Sequence, residues 1–194
     1  MVEVIRVVTG LLKENCYIIH NGIDCLVIDP GSDQEKILTE INTRGLHVRG
    51  ILITHYHFDH VGCLDTFKEI YPTAKIVDYK TKGDVKINTF EFKVIETYGH
   101  TMDSVSYYFD KNDILFTGDF LFKGTIGNFE EDNEEYMFNK VFKTHVPFKN
   151  SYKKFNLIYD VYGPQAYRKF VPSSYQKQDL LNLINSQNYL ILYD

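Results

Sequence analysis

Short apolar runs alternate with turn residues along the first half of the chain. Residues 16–19 and 25–28 are apolar runs of strand length, and Asn21-Gly22 lies between them. Since Asn-Gly readily adopts the positive φ angles of a tight turn, this pattern predicts a β-hairpin. Asp29-Pro30-Gly31 follows the second run, and these turn-forming residues end its strand.

Other stretches have the apolar spacing of helices. Apolar residues recur at this spacing after Ser32, which forms a capping-box signature with Glu35, so a helix is predicted over 33–44 and stopped by Gly45. A second helical pattern covers residues 61–71, and a third is predicted near 174–184.

The remaining apolar segments predict strands, at 50–54, 75–77, 84–87, 90–95, 105–109 and 114–117. The chain is therefore expected to be of the α+β class. It contains no low-complexity linker and no internal repeat, so residues 1–194 are predicted to form a single domain.

Composition and charge narrow the classes of function. Hydrophobic residues make up 44% and charged residues 24%, which is ordinary globular composition, and the formal net charge is -5. No broad basic surface is therefore expected, and we predict neither a nucleic-acid partner nor a membrane partner but a small-molecule substrate. The oligomeric state is left open. The acidic cluster at 130–135 is interpreted as a solvated face.

The cysteines and the amino terminus indicate the cellular compartment in which the protein is expected. Cys16, Cys25 and Cys63 are odd in number and form no CxxC pair, which argues against disulfides and against a cysteine zinc site. The sequence has neither a leader pattern nor a run of about eighteen apolar residues. A cytoplasmic location is therefore expected.

Three histidines and one aspartate crowd into the run 54–60, Thr-His-Tyr-His-Phe-Asp-His. It stands where a predicted strand ends and a predicted helix begins. His55 and His57 are two apart in extended backbone and point the same way, while Asp59 and His60 enter the following helical turn. Four ligand-capable side chains can thus converge, and this mixed imidazole and carboxylate set suits zinc or iron better than magnesium.

Two further candidates stand just after predicted strands. His100 lies in Gly99-His100-Thr101, and Asp119 directly follows an apolar strand. Loops at strand ends are where rigid scaffolds present functional side chains, so both are candidate metal ligands. Taken alone, Gly118-Asp119 is also a common turn signal.

In this order the motifs resemble the metallo-β-lactamase superfamily, and they look most like its short glyoxalase II type proteins, which hydrolyse thioesters. The resemblance spans about residues 15–164 and is carried by Asn15-Cys16-Tyr17, residues 27–31, the HxHxDH run, Gly99-His100-Thr101 and residues 118–122. It implies a four-layer αββα sandwich, with two sheets face to face, helices outside and the metals at one edge.

The resemblance also implies roles for individual residues. A first metal would be bound by His55, His57 and His100, a second by Asp59 and His60, and Asp119 would bridge the two. Asp59 would also act catalytically, by orienting a metal-activated hydroxide and carrying its proton to the leaving group. Asp29 is a candidate to support a ligand from behind, although a turn with Pro30 and Gly31 explains it equally well.

The chain departs from the family pattern at Tyr162, where a second-metal histidine is expected. A phenol must lose its proton to be a good ligand, so we predict one tightly bound zinc and a second ion that is weak or absent, with iron possible. Tyr162 could ligate as phenolate, contact the substrate or merely pack.

Where relatives that use glutathione carry a basic residue, this chain has Gly127-Asn128-Phe129, and only about thirty residues follow Pro164. Glutathione is therefore not assured, and substrate contacts are left open.

Three other functions compete with thioester hydrolysis. One is a persulfide dioxygenase type oxygenase, with His55, His100 and Asp119 around one non-haem iron. The second is a phosphodiesterase or nuclease, which the acidic surroundings disfavour. The third is a binding protein that kept the fold but lost turnover.

Overall fold

A computed structural model describes residues 2–122, 125–126, 128, 156–158 and 190–191. Its strands are β1 (Glu3–Thr9), β2 (Glu14–His20), β3 (Asp24–Ile28), β4 (His47–Leu52), β5 (Lys75–Val77), β6 (Gly83–Ile87), β7 (Phe90–Glu96), β8 (Val105–Phe109), β9 (Ile114–Phe116), β10 (Leu121–Phe122), β11 (Thr125–Ile126), β12 (Asn156–Ile158) and β13 (Leu190–Ile191). The helices are α1 (Gln34–Thr43), α2 (Phe58–Val61) and α3 (Leu64–Ile70), and a 3₁₀ turn covers Gly118–Phe120.

The strands form two main sheets. The first has the order β1-β2-β3-β4-β5, in which β1, β2 and β3 pair antiparallel and β3, β4 and β5 pair parallel. The second has the order β13-β12-β9-β8-β7-β6, antiparallel from β6 to β9 and parallel from β9 to β13. β10 and β11 form a small separate hairpin.

Side chains of the first sheet are buried on both of its faces. In β2, Tyr17 and Ile19 pack between the two sheets, where the Tyr17 ring lies 5.3 Å from that of Phe116. The alternate residues Cys16 and Ile18 join the other core cluster, which includes side chains of α1 and α3. Because successive strand residues point to opposite faces and both faces are covered, residues 16–19 are apolar without alternation. In the described part of the chain, helices, first sheet and second sheet are thus stacked in this order, which gives three of the four layers of the predicted sandwich.

The predicted hairpin is present as β2 and β3, but its turn differs from the expected one. Gly22 has a φ of +92°, whereas Asn21 is not in the left-handed region. The Asn21 side chain accepts hydrogen bonds from the backbone N–H groups of Ile23 and Asp24, at 3.0 and 2.8 Å. Asn21 therefore shapes a longer loop through its side chain instead of entering a two-residue turn.

Two details of the predicted helices are wrong. α1 begins after Asp33, whose φ is +47°, and no side chain caps it, so the Ser32-Glu35 capping box does not form. The pattern over 61–71 is not one helix, since α2 and α3 are separated at Gly62 and Cys63. The Cys63 N–H donates to the carbonyl of Pro30 instead, at 2.9 Å. The helix predicted near 174–184 lies outside the described residues, and among those described no helix is long and apolar enough to cross a membrane.

Candidate metal centre

All the described candidate ligands follow the carboxyl end of a strand. His55 and His57 lie between β4 and α2, Asp59 and His60 lie on α2, His100 lies between β7 and β8, and Asp119 lies in the 3₁₀ turn after β9. β4 belongs to the first sheet, whereas β7, β8 and β9 belong to the second. The candidate site therefore spans the edge of both sheets.

Backbone and tyrosine contacts hold the two sheets together beside the site. The Val105 N–H donates to the carbonyl of Thr54 at 2.8 Å. The hydroxyl of Tyr107, which is fully buried, lies 2.5 Å from the carbonyl oxygen of Ile53 and 2.9 Å from that of Val77. These contacts fix the backbone just before His55 against the second sheet.

The first cluster consists of His55, His57 and His100. Nδ1 of His57 lies 3.0 Å from Nε2 of His55 and 2.9 Å from Nε2 of His100. A tetrahedral zinc ion with Zn–N bonds of about 2.0–2.1 Å would hold its nitrogens about 3.3 Å apart. The three nitrogens thus surround one point at nearly the spacing of metal ligands.

The second cluster consists of His55, His60 and Asp119, and these three side chains are buried. Nε2 of His60 lies 3.3 Å from Oδ1 of Asp119, and Nε2 of His100 lies 3.5 Å from Oδ2 of the same carboxylate. Asp119 therefore stands between the two clusters. Its Oδ1 is buried and has no hydrogen-bond partner among the described residues, which is costly for a carboxylate unless a cation faces it.

Asp59 is in neither cluster. Its Oδ2 lies 4.0 Å from Nε2 of His60, and its buried side chain lines the cleft. Asp59 is thus placed to contact a group in the cleft.

Hydrogen bonds behind His55 fix which of its nitrogens faces the site. The Thr54 hydroxyl donates to Oδ2 of Asp29 at 2.6 Å, so its single proton is used there. Nδ1 of His55 lies 3.0 Å from the same hydroxyl oxygen and must be the donor in that contact. Nε2 of His55 is left as a bare lone pair directed at the site.

His60 and His100 are arranged in the same way. Nδ1 of His60 donates to Oδ2 of Asp29 at 3.0 Å, and Nδ1 of His100 donates to the backbone carbonyl of Asn128. In both rings Nε2 is consequently the lone-pair nitrogen, because a neutral imidazole carries one proton.

This proton arrangement fits a bound cation. His57 Nδ1 carries at most one proton, so it can donate to only one of the two lone pairs that it faces, on His55 and His100. At least one nitrogen contact of about 3 Å is then unfavourable without a cation. The donor set of imidazoles and carboxylates is one that zinc and iron accept. The residues present therefore fit a divalent metal.

Burial keeps two of these histidines neutral. Desolvation, reinforced by the neighbouring histidines, lowers the pKa of His55 well below its ordinary value of 6.5. Desolvation also lowers the pKa of His100, although Asp119 opposes this shift. Neutral imidazole is the form that binds a metal, so these rings need not lose a proton at pH 7.

Asp29 supports the site through three hydrogen bonds. Its carboxylate accepts from the Thr54 N–H at 2.7 Å, from the Thr54 hydroxyl and from His60. Its own φ is +51°, a conformation that most non-glycine residues avoid. Of the two explanations given for Asp29, the structure supports the one in which it holds a ligand histidine from behind.

The sequence analysis missed the roles of Thr54 and Asn128. Thr54 was recognised only as part of the run, and a neighbouring hydroxyl next to a metal-binding histidine is a signal that could have been used. Asn128 acts through its backbone carbonyl, for which its residue type gives no signal. Tyr162, Gly127, Phe129 and the acidic cluster at 130–135 lie outside the described residues.

A cleft of about 270 Å³ opens onto the two clusters. Its described lining consists of Leu12, His57, Phe58, Asp59, His100, Asp119, Phe122 and Asn128. It lies near the lower end of the usual size of ligand pockets, so it suits a small molecule.

The sequence of this chain matches a known protein family. The chain matches the family model of the metallo-beta-lactamase superfamily over residues 9–86 and 81–156. A "Probable metallo-hydrolase YqgX" of Bacillus subtilis (strain 168) is 33% identical over 63% of this chain and 72% of its own length. These matches, together with the two packed sheets, confirm the predicted sandwich fold.

Other relatives have more specific names. A "Hydroxyacylglutathione hydrolase" of a Bradyrhizobium species is 34% identical over 72% of this chain, which spans only 60% of that relative's length. Among solved structures, that of TTHA1623 in a di-iron-bound form is 25% identical and has a TM-score of 0.66. The match covers 82% of this chain and 92% of that one.

Proposed function

This chain belongs to the metallo-beta-lactamase superfamily, and we propose that it is a metal-dependent hydrolase that cleaves a small thioester. The observation that carries the proposal is the pair of clusters that share His55 and meet at Asp119 beside an open cleft. The hydroxyacylglutathione hydrolase relatives support the thioester as substrate class.

In this proposal His55, His57 and His100 hold a first ion, Asp59 and His60 contribute to a second, and Asp119 contacts both. Since Nδ1 of His55 is engaged with Thr54, its Nε2 can serve only one ion, and the assignment places it in the first site. When bound, the metal supplies a hydroxide at neutral pH and polarises the substrate carbonyl.

The two sites are proposed to differ in strength. Tyr162 replaces a histidine that the family pattern places near the second site, so we expect one tightly held zinc and a weak or absent second ion. Metal analysis that finds two tightly held ions per chain would contradict this expectation.

The protein's own groups orient the reaction. Water adds to the acyl carbon and the C–S bond breaks. One proton of the water passes through the Asp59 carboxylate to the departing sulfur, and the other is released to solvent. The products are a carboxylate and a thiol. Asp59 suits this role because its side chain lines the cleft without being packed into either cluster.

A thioester screen on metal-containing protein tests the proposal. Wild-type protein should hydrolyse at least one thioester from a panel with glutathione and neutral carriers. Asp59→Asn should lower kcat by about 10²–10⁴-fold, as expected for loss of a proton-transfer group, while the ion held by His55, His57 and His100 is retained.

Asp65→Asn is the matched control, because Asp65 is an exposed aspartate on α3. Its activity should equal that of the wild type. Failure of the metal-containing wild type to cleave any member of the panel would overturn the proposed function.

The second candidate is an iron oxygenase of the persulfide dioxygenase type, and the similarity to TTHA1623 in its di-iron-bound form supports iron as a metal for this site. It would use His55, His100 and Asp119 around one iron, with open positions for oxygen and a thiol substrate. Oxygen consumption by iron-containing protein with glutathione persulfide, without thioester hydrolysis, would favour this candidate over the first.

A further inference from the structure

Three apolar side chains border the candidate metal centre. Leu12, Phe58 and Phe122 line the cleft together with the ligand candidates. Phe58 is 75% exposed and Leu12 is 45% exposed, although both are large hydrophobic residues. We call these three residues the apolar rim.

Leu12 and Phe58 are exposed, whereas Phe122 is buried beside them, and packing does not explain the exposure of the first two. Leu11 and Leu12 stand on the turn between β1 and β2, where polar residues are usual, and Leu11 is fully exposed. Met102, two residues after His100, is exposed as well. Exposed apolar residues scattered singly need no explanation, but Leu12 and Phe58 are exposed at one cleft that Phe122 also lines, which indicates a binding surface.

The turn that carries Leu12 is held in place. Gly10 and Lys13 have φ values of +64° and +57°, and the Lys13 N–H points to the Gly10 carbonyl at 3.4 Å. The Gly10 N–H donates to Asp33 at the start of α1, at 3.2 Å. Leu12 thus lies on a fixed hairpin end, and Phe58 is the first residue of α2.

The charges of the cleft also favour an apolar ligand. Its described lining contains the carboxylates of Asp59 and Asp119 but no lysine or arginine. A carrier such as glutathione has two carboxylates, which need cationic or strong hydrogen-bonding partners when they are taken from water. The described part of the lining offers the carbon surface of the rim instead.

We propose that the apolar rim binds the acyl chain of the substrate, so that the preferred substrates are thioesters with an apolar acyl group of several carbons on an uncharged carrier. The proposal rests on the proposed thioester hydrolysis and adds the substrate class. Hydrophobic contact with the rim would hold the acyl chain while its carbonyl faces the metal centre.

A chain-length series tests the proposal on metal-containing full-length protein. The probes are the acetyl, butanoyl, hexanoyl and octanoyl thioesters of N-acetylcysteamine. We expect kcat/KM to rise by about two- to fourfold for each methylene that the rim covers. At equal acyl length, the N-acetylcysteamine thioester should be preferred over the glutathione thioester.

Variants of the rim should flatten this dependence. Leu12→Ser removes apolar surface from the turn without touching a ligand, and Phe58→Ala removes it from α2, with metal content measured in each. Ile23→Ala is the matched control, because Ile23 is equally apolar and 64% exposed but lies in the loop at the other end of β2. Its chain-length dependence should match that of the wild type.

Calorimetric binding of acetate, hexanoate and octanoate gives a readout that does not need turnover. If acetyl and octanoyl thioesters are cleaved equally well, or if glutathione thioesters are preferred, the rim proposal is overturned while thioester hydrolysis stands. If no thioester is cleaved but octanoate binds more tightly than acetate and Leu12→Ser removes the difference, the apolar subsite is supported and the proposed hydrolysis fails.

Discussion

His55, His60 and His100 donate their Nδ1 protons to acceptors behind them and direct the lone pairs of Nε2 at the site. Thr54 and Asp29 fix the orientation of His55, and Asp29 and Asn128 do the same for His60 and His100. Partners of this kind set the tautomer and typically change metal affinity by about 10–100-fold when removed. The site therefore depends on residues that are not themselves candidate metal ligands.

The lowered pKa of His55 predicts how the metal-free protein responds to acid. In the unfolded chain His55 takes up a proton below about pH 6.5, whereas in the folded protein it stays neutral to a lower pH. Stability is thus retained above about pH 6.5 and falls as the pH drops below it. The slope should be up to about 1 kcal/mol per pH unit for each such histidine.

Urea unfolding of metal-free protein between about pH 7.5 and pH 5.5 measures this effect. His55→Asn should have a shallower pH dependence than the wild type, whereas His47→Asn, which alters an exposed histidine at the start of β4, should keep it. Equal pH dependence in His55→Asn and wild type would refute the assignment of His55 as a buried neutral group.

At the scale of elements, the 3₁₀ turn that carries Asp119 depends on Gly118. Its φ is +50°, and a Cβ at this position would lie 2.4 Å from Oγ1 of Thr54. The turn and the histidine run therefore approach so closely that only glycine fits between them. This approach places the turn that carries Asp119 against the hydroxyl that orients His55.

Gly118→Ala is expected to damage the metal site more than it damages the fold. Gly45→Ala is the matched control, since Gly45 has a φ of +62° but nothing within 4 Å of its would-be Cβ. Both variants should lose about 1–2 kcal/mol of stability from backbone strain. Only Gly118→Ala should also lose about tenfold or more in zinc affinity, measured by competition with a chromogenic chelator. Equal zinc affinities in the two variants would contradict this account of Gly118.

Some of the helices and strands could be predicted from the sequence, and others could not. Apolar periodicity located most strands and both halves of the hairpin, because buried faces set those patterns. It failed at Ser32 and at Gly62, where Asp33 bonds to Gly10 and Cys63 bonds to Pro30. In the site, the run 54–60 indicated candidate ligands, but the bonds of Asp29 join residues 25 and 31 positions apart. Such pairings depend on tertiary contacts that local patterns do not encode.

At the scale of the whole molecule, the candidate ligands join two sheets. His55, His57 and His60 come from the first sheet and α2, and His100 and Asp119 come from the second sheet. A metal bound by ligands from both sheets would resist separation of the two sheets. Binding to the folded state alone stabilises it by mass action, by about 3 kcal/mol when the free ion is about a hundredfold above its Kd.

Removal of the metal should therefore lower the melting temperature. For a chain of this length, about 3 kcal/mol corresponds to a loss of about 6–12 °C when the ion is chelated. His57→Asn should lack most of this shift, whereas His47→Asn should keep it. An unchanged melting temperature after verified removal of zinc from the wild type would refute metal bridging between the sheets.

The bond from Val105 to Thr54 and the contact from Tyr107 to Ile53 have a consequence for the order of events during synthesis. Each joins residues about fifty positions apart, and Asp119 follows later still. A growing chain that has emerged only through β7 already displays His55, His57 and His60, but it has neither the second half of the ligands nor the contacts that hold the loop. The ion can therefore be bound stably only late in synthesis, by chains whose two sheets have already docked.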